Sequence, residues 1–394
     1  MNQPRRAGNI PGAARPDTPD LLMREASLDK LKAFLTLLPS MILIGVFVYG
    51  FIGDTIWTSM TDWGGGTAMA FAPEKHFIGL ENYIDLFTGF LGSGFRQDLV
   101  NAVYYSIMLL AGAVGLGMFI AILLDQKPRG EDLLRTIFLY PMSLSFIVSG
   151  TIWRWLLAPQ GGVNVLPKYF GFEPLTFKWL SSQSAVLVFN WQDILRILLY
   201  IAAFILILVG VFMLRKNQAK AIKRCLLPGI LIGGFVWLFG GIIPDALFME
   251  EEHGFNLATL GIIIATVWQY SGYTMALYLA GFNGISQDLR DAAMLDGASN
   301  VAYYRHVAIP MLKPITISAV IILSHISLKM FDLIFAMTGP DNAATGHPAL
   351  TMYLTTFRGN EFARGAAIAI VLFLVAAMFI VPYLVGQYRQ QGRR

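Results

Sequence analysis

Ser318, His325, Lys329 and Asp332 recur at intervals of seven, four and three residues within an apolar stretch, so a helix there would carry them on one face, with Ser324 beside them. A lysine at the centre of a bilayer costs about 2.5–3.5 kcal/mol, so Lys329 must meet a partner, protein interior or water. Two chemistries fit: a structural ion pair between Lys329 and Asp332, or a polar wall that hydrogen-bonds the hydroxyls of a solute. Metal binding at His325 is disfavoured, because no second His, Cys or carboxylate stands at a ligand spacing from it. Trp268, Gln269, Tyr270 and Tyr273 form a second group, in which aromatic faces and an amide could hold a polyhydroxylated ring. The same residue types also fill space between helices or form belts at membrane interfaces.

A third group is polar and lies between two long apolar segments: Arg290-Asp291-Ala292-Ala293-Met294-Leu295-Asp296-Gly297. Ser286 or Asp288 can cap a helix that Gly297 ends in the left-handed conformation. Ser299 can cap a second helix, which Pro310 and Pro314 terminate. The product is a short helical hairpin. Ala292 and Ala293 leave one face with little bulk, and Arg290 and Asp291 set charges at its margin. An ordinary connector and a docking knob both fit these residues.

The chain has no Gly-Lys dipeptide and so no Walker A cradle for ATP phosphates, and HExxH, GxSxG and CxxC patterns are absent as well. Cys225 is the single cysteine, which excludes an intrachain disulfide and a cysteine-built metal site. No catalytic residue or cofactor-binding motif is therefore expected in this chain.

The elements that must position these groups follow from composition. Of 394 residues, 56% are hydrophobic and 14% charged, and the mean hydropathy is +0.59, far too apolar for a solvated surface. Runs long enough to cross a bilayer, roughly 20 helical residues, occur near residues 33–57, 100–124, 134–156, 194–214, 225–249, 257–282, 314–336 and 365–387. They lack the alternation of a transmembrane barrel, so an all-α integral membrane protein of about eight spans is expected. Pro39, Pro141 and Pro244 are expected to kink their helices. Residues 1–32 are expected to be a disordered tail before an uncleaved first span.

The net charge of +4 comes from basic residues spread between spans, with no single stripe of the kind that binds nucleic acid. Most Lys and Arg, including Lys127, Arg215, Lys223, Arg290, Arg305 and Arg389, fall on one side of the drawn spans, opposite the acidic run Glu250-Glu251-Glu252. The positive-inside rule then places both termini and the loop 284–313 in the cytoplasm.

Asp291-Ala292-Ala293, Gly297 four residues after Ala293, and then Val307, Ile309 and Pro310 resemble the EAA loop of binding-protein-dependent ABC importer permeases. Asp291 stands where that family usually has Glu. From Phe34 through Tyr388 the chain looks like the carbohydrate permeases of the maltose-transporter type, most closely over residues 268–284 and Asp296-Gly297-Ala298-Ser299. Residues 325–332 and 360–367 are similar to glucose/mannose-type permeases.

The resemblance implies a six-helix permease core at 33–160 and 257–394, with a two-span insertion at 161–256. It also implies a coupling loop docked on a cytoplasmic ABC ATPase dimer that uses the ATP, a second permease subunit, and an extracytoplasmic sugar-binding protein. The cargo it implies is a carbohydrate, a monosaccharide such as glucose or mannose, imported across a bacterial or archaeal plasma membrane. Segments 58–98 and 338–364 would then be docking surfaces for the binding protein or lids over the path. The alternatives are a secondary transporter that uses the Lys329, Asp332 and His325 stripe as an ion relay, or an ABC permease for another solute such as an oligosaccharide or glycerol phosphate.

Overall fold

A computed structural model describes residues 19–64, 75–215 and 222–391. The chain divides into two compact units, Met1–Trp57 and Thr58–Arg394. In the first unit, α1 (Pro19–Ile44) passes through a π-helical stretch, Gly45–Gly50, into α2 (Phe51–Ser59). The tail expected at 1–32 is therefore helical from Pro19 onward, where proline occupies the first helical position and good helix formers follow. Residues 1–18 lie outside the described residues. Pro39 sits inside α1, and the irregular turn comes later, at Gly45–Gly50.

In the second unit, α3 (Glu81–Thr88) leads to the long α4 (Ser93–Asp125), then to α5 (Glu131–Ser143) and α6 (Phe146–Leu156). The single span expected at 134–156 is instead broken, with α5 and α6 meeting at 100°. Leu144 and Ser145 are extended, so the backbone leaves the helix just after Pro141. A short α7 (Gly162–Val165) and irregular turns reach β1 (Ala185–Asn190), which pairs antiparallel with β2 (Glu252–Asn256). This strand pair was not expected in an all-α chain. Its register, Val186 opposite Phe255 and Phe189 opposite His253, leaves one extra residue on β1, and Leu187 in that bulge has φ 54°.

Between the strands run α8 (Ile194–Arg215) and α9 (Leu227–Phe239), which pack on each other and expose Phe204, Leu208, Phe212, Ile230 and Trp237. Apolar surface of that extent fits lipid rather than water. The helical stretch ends at Ile242, so Pro244 follows the span and does not kink it.

Next come α10 (Ala258–Asn283), α11 (Gln287–Leu295), α12 (Asn300–Tyr303), α13 (Ile309–Met311) and α14 (Lys313–Leu328). The chain closes with α15 (Asp332–Thr338), α16 (Pro348–Tyr353) and α17 (Phe362–Gln391). The helix expected at 314–336 stops at Leu328, and α15 begins afresh at Asp332. Among the described residues, five helices are long and apolar enough to cross a membrane, or seven if each bent pair counts as one span. The fold is all-helical apart from the strand pair.

α10 is the centre. At 26 residues it has the length of a span, and it keeps Thr266, Gln269, Ser271 and Thr274 buried among its neighbours. A helix enclosed by protein need not present an apolar face to lipid, which lets it carry polar groups. α4 lies along it through small residues and shared hydrogen bonds. Thr274 donates to the Ala113 carbonyl at 2.5 Å, and the Tyr105 hydroxyl donates to Thr266 at 2.8 Å. A Cβ on Gly117 would collide with Thr274, and one on Gly272 would collide with the Phe138 carbonyl of α5.

One polar cluster ties β2 and the residue before it to α3 and α4. Arg96, 1% exposed, donates to both carboxylate oxygens of Glu251 and to the Leu86 and Gly89 carbonyls. His253 meets Glu251 at 2.5 Å and Gln97 at 3.0 Å, and Gln97 donates to Asn101 at 2.9 Å. Burial works to raise the Glu251 carboxyl, but the hydrogen bonds from Arg96 and His253 outweigh it and hold it below the usual carboxylate range. Burial holds His253 below its ordinary value against the opposing pull of Glu251. The acidic run opposite the basic side thus supplies the counter-ion of a buried arginine.

Three outcomes are expected. Gly117→Val and Gly272→Val should each lower the melting temperature in detergent, a loss of about 1–3 kcal/mol from overpacking; Gly115→Val, with open space around its Cβ, is the matched control. Arg96→Ala strands Glu251 and should cost about 3–5 kcal/mol. The double variant Arg96→Ala/Glu251→Gln should then melt above Arg96→Ala alone. Both folded pKa values are depressed, so the stability they contribute is present above the unfolded values and lost as pH falls through the folded ones. Melting temperature should therefore decline below about pH 6.5 as His253 is forced to charge, and decline less in His253→Gln.

Candidate functional site

The hairpin 284–313 folds as its caps dictate. Ser286 holds the extended N-cap conformation before α11 without a side-chain cap bond, while Asp288 sits in the first turn, where the helix dipole favours a carboxylate. At the other end Gly297 has φ 82°. Its N–H bonds the Met294 carbonyl, and the Ala298 N–H bonds the Ala293 carbonyl, both at 3.0 Å. Those two bonds are the Schellman pattern. Ser299 caps α12 by accepting from the Ala302 N–H at 3.3 Å. From α12 a π-helical stretch, Tyr304–Ala308, leads into α13. Pro310 has no N–H to give the helix, and the widened turn precedes it. The axis then turns by 65° at Leu312 into α14.

The inner side of the hairpin is anchored. Arg290 pairs with Asp125 at the end of α4, 3.4 Å away, and lies over the rings of Tyr303 and Tyr304 at 5.4 and 5.9 Å. The Tyr304 hydroxyl donates to the same carboxylate at 2.6 Å, and Phe282 meets the Tyr304 ring edge-on. Arg290, expected at the exposed margin, therefore points inward, because Asp125 and two aromatic faces wait there. Ala293 is half-buried in the same cluster, so it does not share an outward face with Ala292. The outer surface carries Asp291, Ala292, Met294, Leu295, Asp296 and Gly297, with Leu295 88% exposed and Val301 of α12 76% exposed. Pro310 is also exposed. Asp125, Tyr303 and Tyr304 were missed in the sequence. The adjacent tyrosines that begin four residues after Ser299 are the one local sign of them.

The residues suggested for a solute path fall in two places. Trp268 stands edge-on to Trp153, centroids 5.7 Å apart, and both line a cavity of about 1300 Å³ bounded by α4, α5, α6 and α10. Gln269 is 2% exposed and donates to the Leu144 carbonyl at 3.3 Å, which satisfies the open backbone between α5 and α6. Among the described residues its Oε1 is buried without a partner. Tyr273 is half-buried against the apolar core. Ser324 is buried and donates to the Val320 carbonyl, and Ser318 meets the Tyr383 hydroxyl.

His325 and Lys329 line a separate cleft of about 480 Å³ between α14, α16 and α17. Asp332 does not continue their stripe, because the helix ends at Leu328 and Asp332 opens α15 in a different frame. Among the described residues no ion pair joins it to Lys329, and both side chains are exposed. The expected Lys329–Asp332 pair is thus absent, for want of the continuous helical face that would make it.

No family model matches the chain. It is 33% identical to a probable ABC transporter permease protein of Pyrococcus horikoshii over 361 residues, 91% of this chain and 96% of that protein. It is 29% identical to the xylose/arabinose import permease protein of Haloferax volcanii, covering 89% of this chain and 86% of the relative. Its fold matches, at a TM-score of 0.60 and 16% identity, a chain of a bacterial ABC transporter that imports the acidic polysaccharide alginate, covering 94% of this chain and 99% of that one. With that identity over nearly the full length of both chains, and a matching fold, the chain belongs to the permease proteins of ABC transporters.

Proposed function

We propose that the hairpin 284–313 is the point at which a separate ABC ATPase dimer drives this permease. The observation that carries the reading is the division of the hairpin into two sides. Its inner side is locked to α4 by Arg290, Asp125, Tyr303 and Tyr304, while its outer side exposes Leu295, Met294 and Val301 around Asp291 and Ala292. Exposed apolar side chains beside a charge fit a socket on another protein. The locked base would pass a push on that socket to α4 and α10. The bias of Lys and Arg toward this side of the spans supports a cytoplasmic hairpin and cytoplasmic termini. ATP is then bound and hydrolysed by the partner, on the motor side of the membrane.

The solute path in this reading runs beside the break between α5 and α6. Non-helical backbone at membrane depth is tolerated where it lines a cavity or is held by protein, and Gln269, Trp268 and Trp153 gather there. Tyr273 and Ser324 are further candidates for that path. The open side of the large cavity is the place for a second permease subunit, and the 338–364 end is the place for a binding protein. A solved relative of the same fold is in complex with an alginate pentasaccharide-bound periplasmic protein, which supports that partnership. For cargo, the likeness of residues 325–332 and 360–367 to glucose/mannose-type permeases favours a hexose. The Haloferax volcanii relative is named for pentoses and the solved relative for an acidic polysaccharide, so a sugar panel offered to the binding protein is the direct test.

Gly297→Val forces a β-branched residue to φ 82°, a strain of about 1–2 kcal/mol at the cap. We expect normal membrane insertion, loss of copurifying ATPase and loss of ATP-dependent uptake, with Gly297→Asn milder than Val. Uptake at the wild-type rate in Gly297→Val, or uptake that persists without ATP and collapses with the proton gradient, would sink the reading.

A further inference from the structure

The cleft that holds His325 and Lys329 has the wrong lining for a sugar. Apart from those two and Tyr353 it is built of Leu328, Phe331, Ala349, Met352 and a stripe from α17. That stripe is Ala369, Leu372, Phe373 and Ala376, spaced i, i+3, i+4, i+7, so it forms one face, and its alanines leave a groove. The run from Ala369 to Ala376 rises about 10 Å along the helix. One cation stands at the mouth, and its expected counter-ion, Asp332, is not paired with it.

Depth adds to this. α14 is 16 residues long and starts at the hairpin, so Lys329, just past its end, lies about 24 Å from that end of the membrane. In a hydrocarbon core of about 30 Å, that is about 6 Å short of the opposite face, within reach of the headgroups there for a lysine that extends along its own stem. His325 sits one turn deeper. Among the described residues its Nδ1 is buried and has no hydrogen-bond partner.

We infer that this cleft is a binding site for an anionic phospholipid of the leaflet opposite the hairpin. Lys329 takes the phosphate, helped by the Tyr353 hydroxyl. His325, one turn deeper, stands at the level of the ester carbonyls, which lie just below the phosphate in such a lipid. One acyl chain lies along the Ala369, Leu372, Phe373 and Ala376 stripe. Charge, polar spacing and apolar groove then follow the order in which a lipid presents its parts. The site rests on the chain's embedding in a membrane and is separate from the solute path beside Trp268.

The test uses the intact importer, delipidated in detergent and offered phosphatidylglycerol or phosphatidylcholine, with retained lipid counted by native mass spectrometry. Wild type should retain phosphatidylglycerol in preference to phosphatidylcholine. Lys329→Gln should lower retention of phosphatidylglycerol about five-fold, the worth of one lysine at a membrane surface, and leave phosphatidylcholine unchanged; Lys329→Arg should restore it. Ala369→Phe, which fills the groove without touching the charge, should lower retention of both lipids. Each variant is accepted only if it elutes and melts as wild type does, and Ala376→Phe replaces Ala369→Phe if the latter does not. Equal retention of both lipids by wild type, or retention unchanged in Lys329→Gln and the groove-filling variant, overturns the site. Displacement of the retained lipid by a soluble sugar would also overturn it, by assigning the cleft to cargo.

Discussion

In a bilayer the backbone has no water to fall back on, so every departure from helix must find its hydrogen-bond partners inside the protein. That constraint explains why α10 is both the most enclosed helix of the chain and one of its more polar ones. Its Gln269 serves the open carbonyl of Leu144 where α5 gives way to α6, and its Thr274 serves Ala113 on α4. The close contacts at Gly117 and Gly272 bring those groups within reach. A permease needs broken helices to make a path and stable packing to survive the breaks. Here both demands fall on the same 26 residues.

The second organising feature is the join between the hairpin and the bundle. A surface loop held only by its own caps could yield without moving anything else. Asp125 prevents that, since one carboxylate receives both the Arg290 guanidinium and the Tyr304 hydroxyl. Helix α4 therefore ends on the same group that fixes the loop. Motion imposed on the exposed tip has a short route to the helix that lies along α10, and the route consists of contacts with two rigid aromatic rings rather than a flexible linker.

What could be read in the sequence followed the range of the interactions involved. The long apolar helices were legible because length and composition decide them locally. The end of α11 was legible because only the residues from Ala293 to Ala298 are needed to close a Schellman turn at a glycine. The break after Ser143 was not: Pro141 announces some irregularity, but the open carbonyl is tolerated through Gln269, 125 residues away in sequence. Arg290 read as a surface charge because its counter-ion lies 165 residues earlier, and Glu251 gave no sign of its role because Arg96 lies 155 residues before it. The stripe from Ser318 to Asp332 failed for a simpler reason. Its spacing presumed one helix where the chain builds two.

The β1–β2 pairing sets how α8 and α9 belong to the molecule. Because Asn190 lies opposite Glu252, the polypeptide departs for α8 and returns from α9 at adjacent points. The excursion between them behaves as a side branch on a closed stem. Lengthening, shortening or replacing that branch changes the perimeter of the protein while the stem keeps the register of everything threaded on either side of it. A closed stem of this kind admits membrane crossings in pairs, because the chain re-enters where it left.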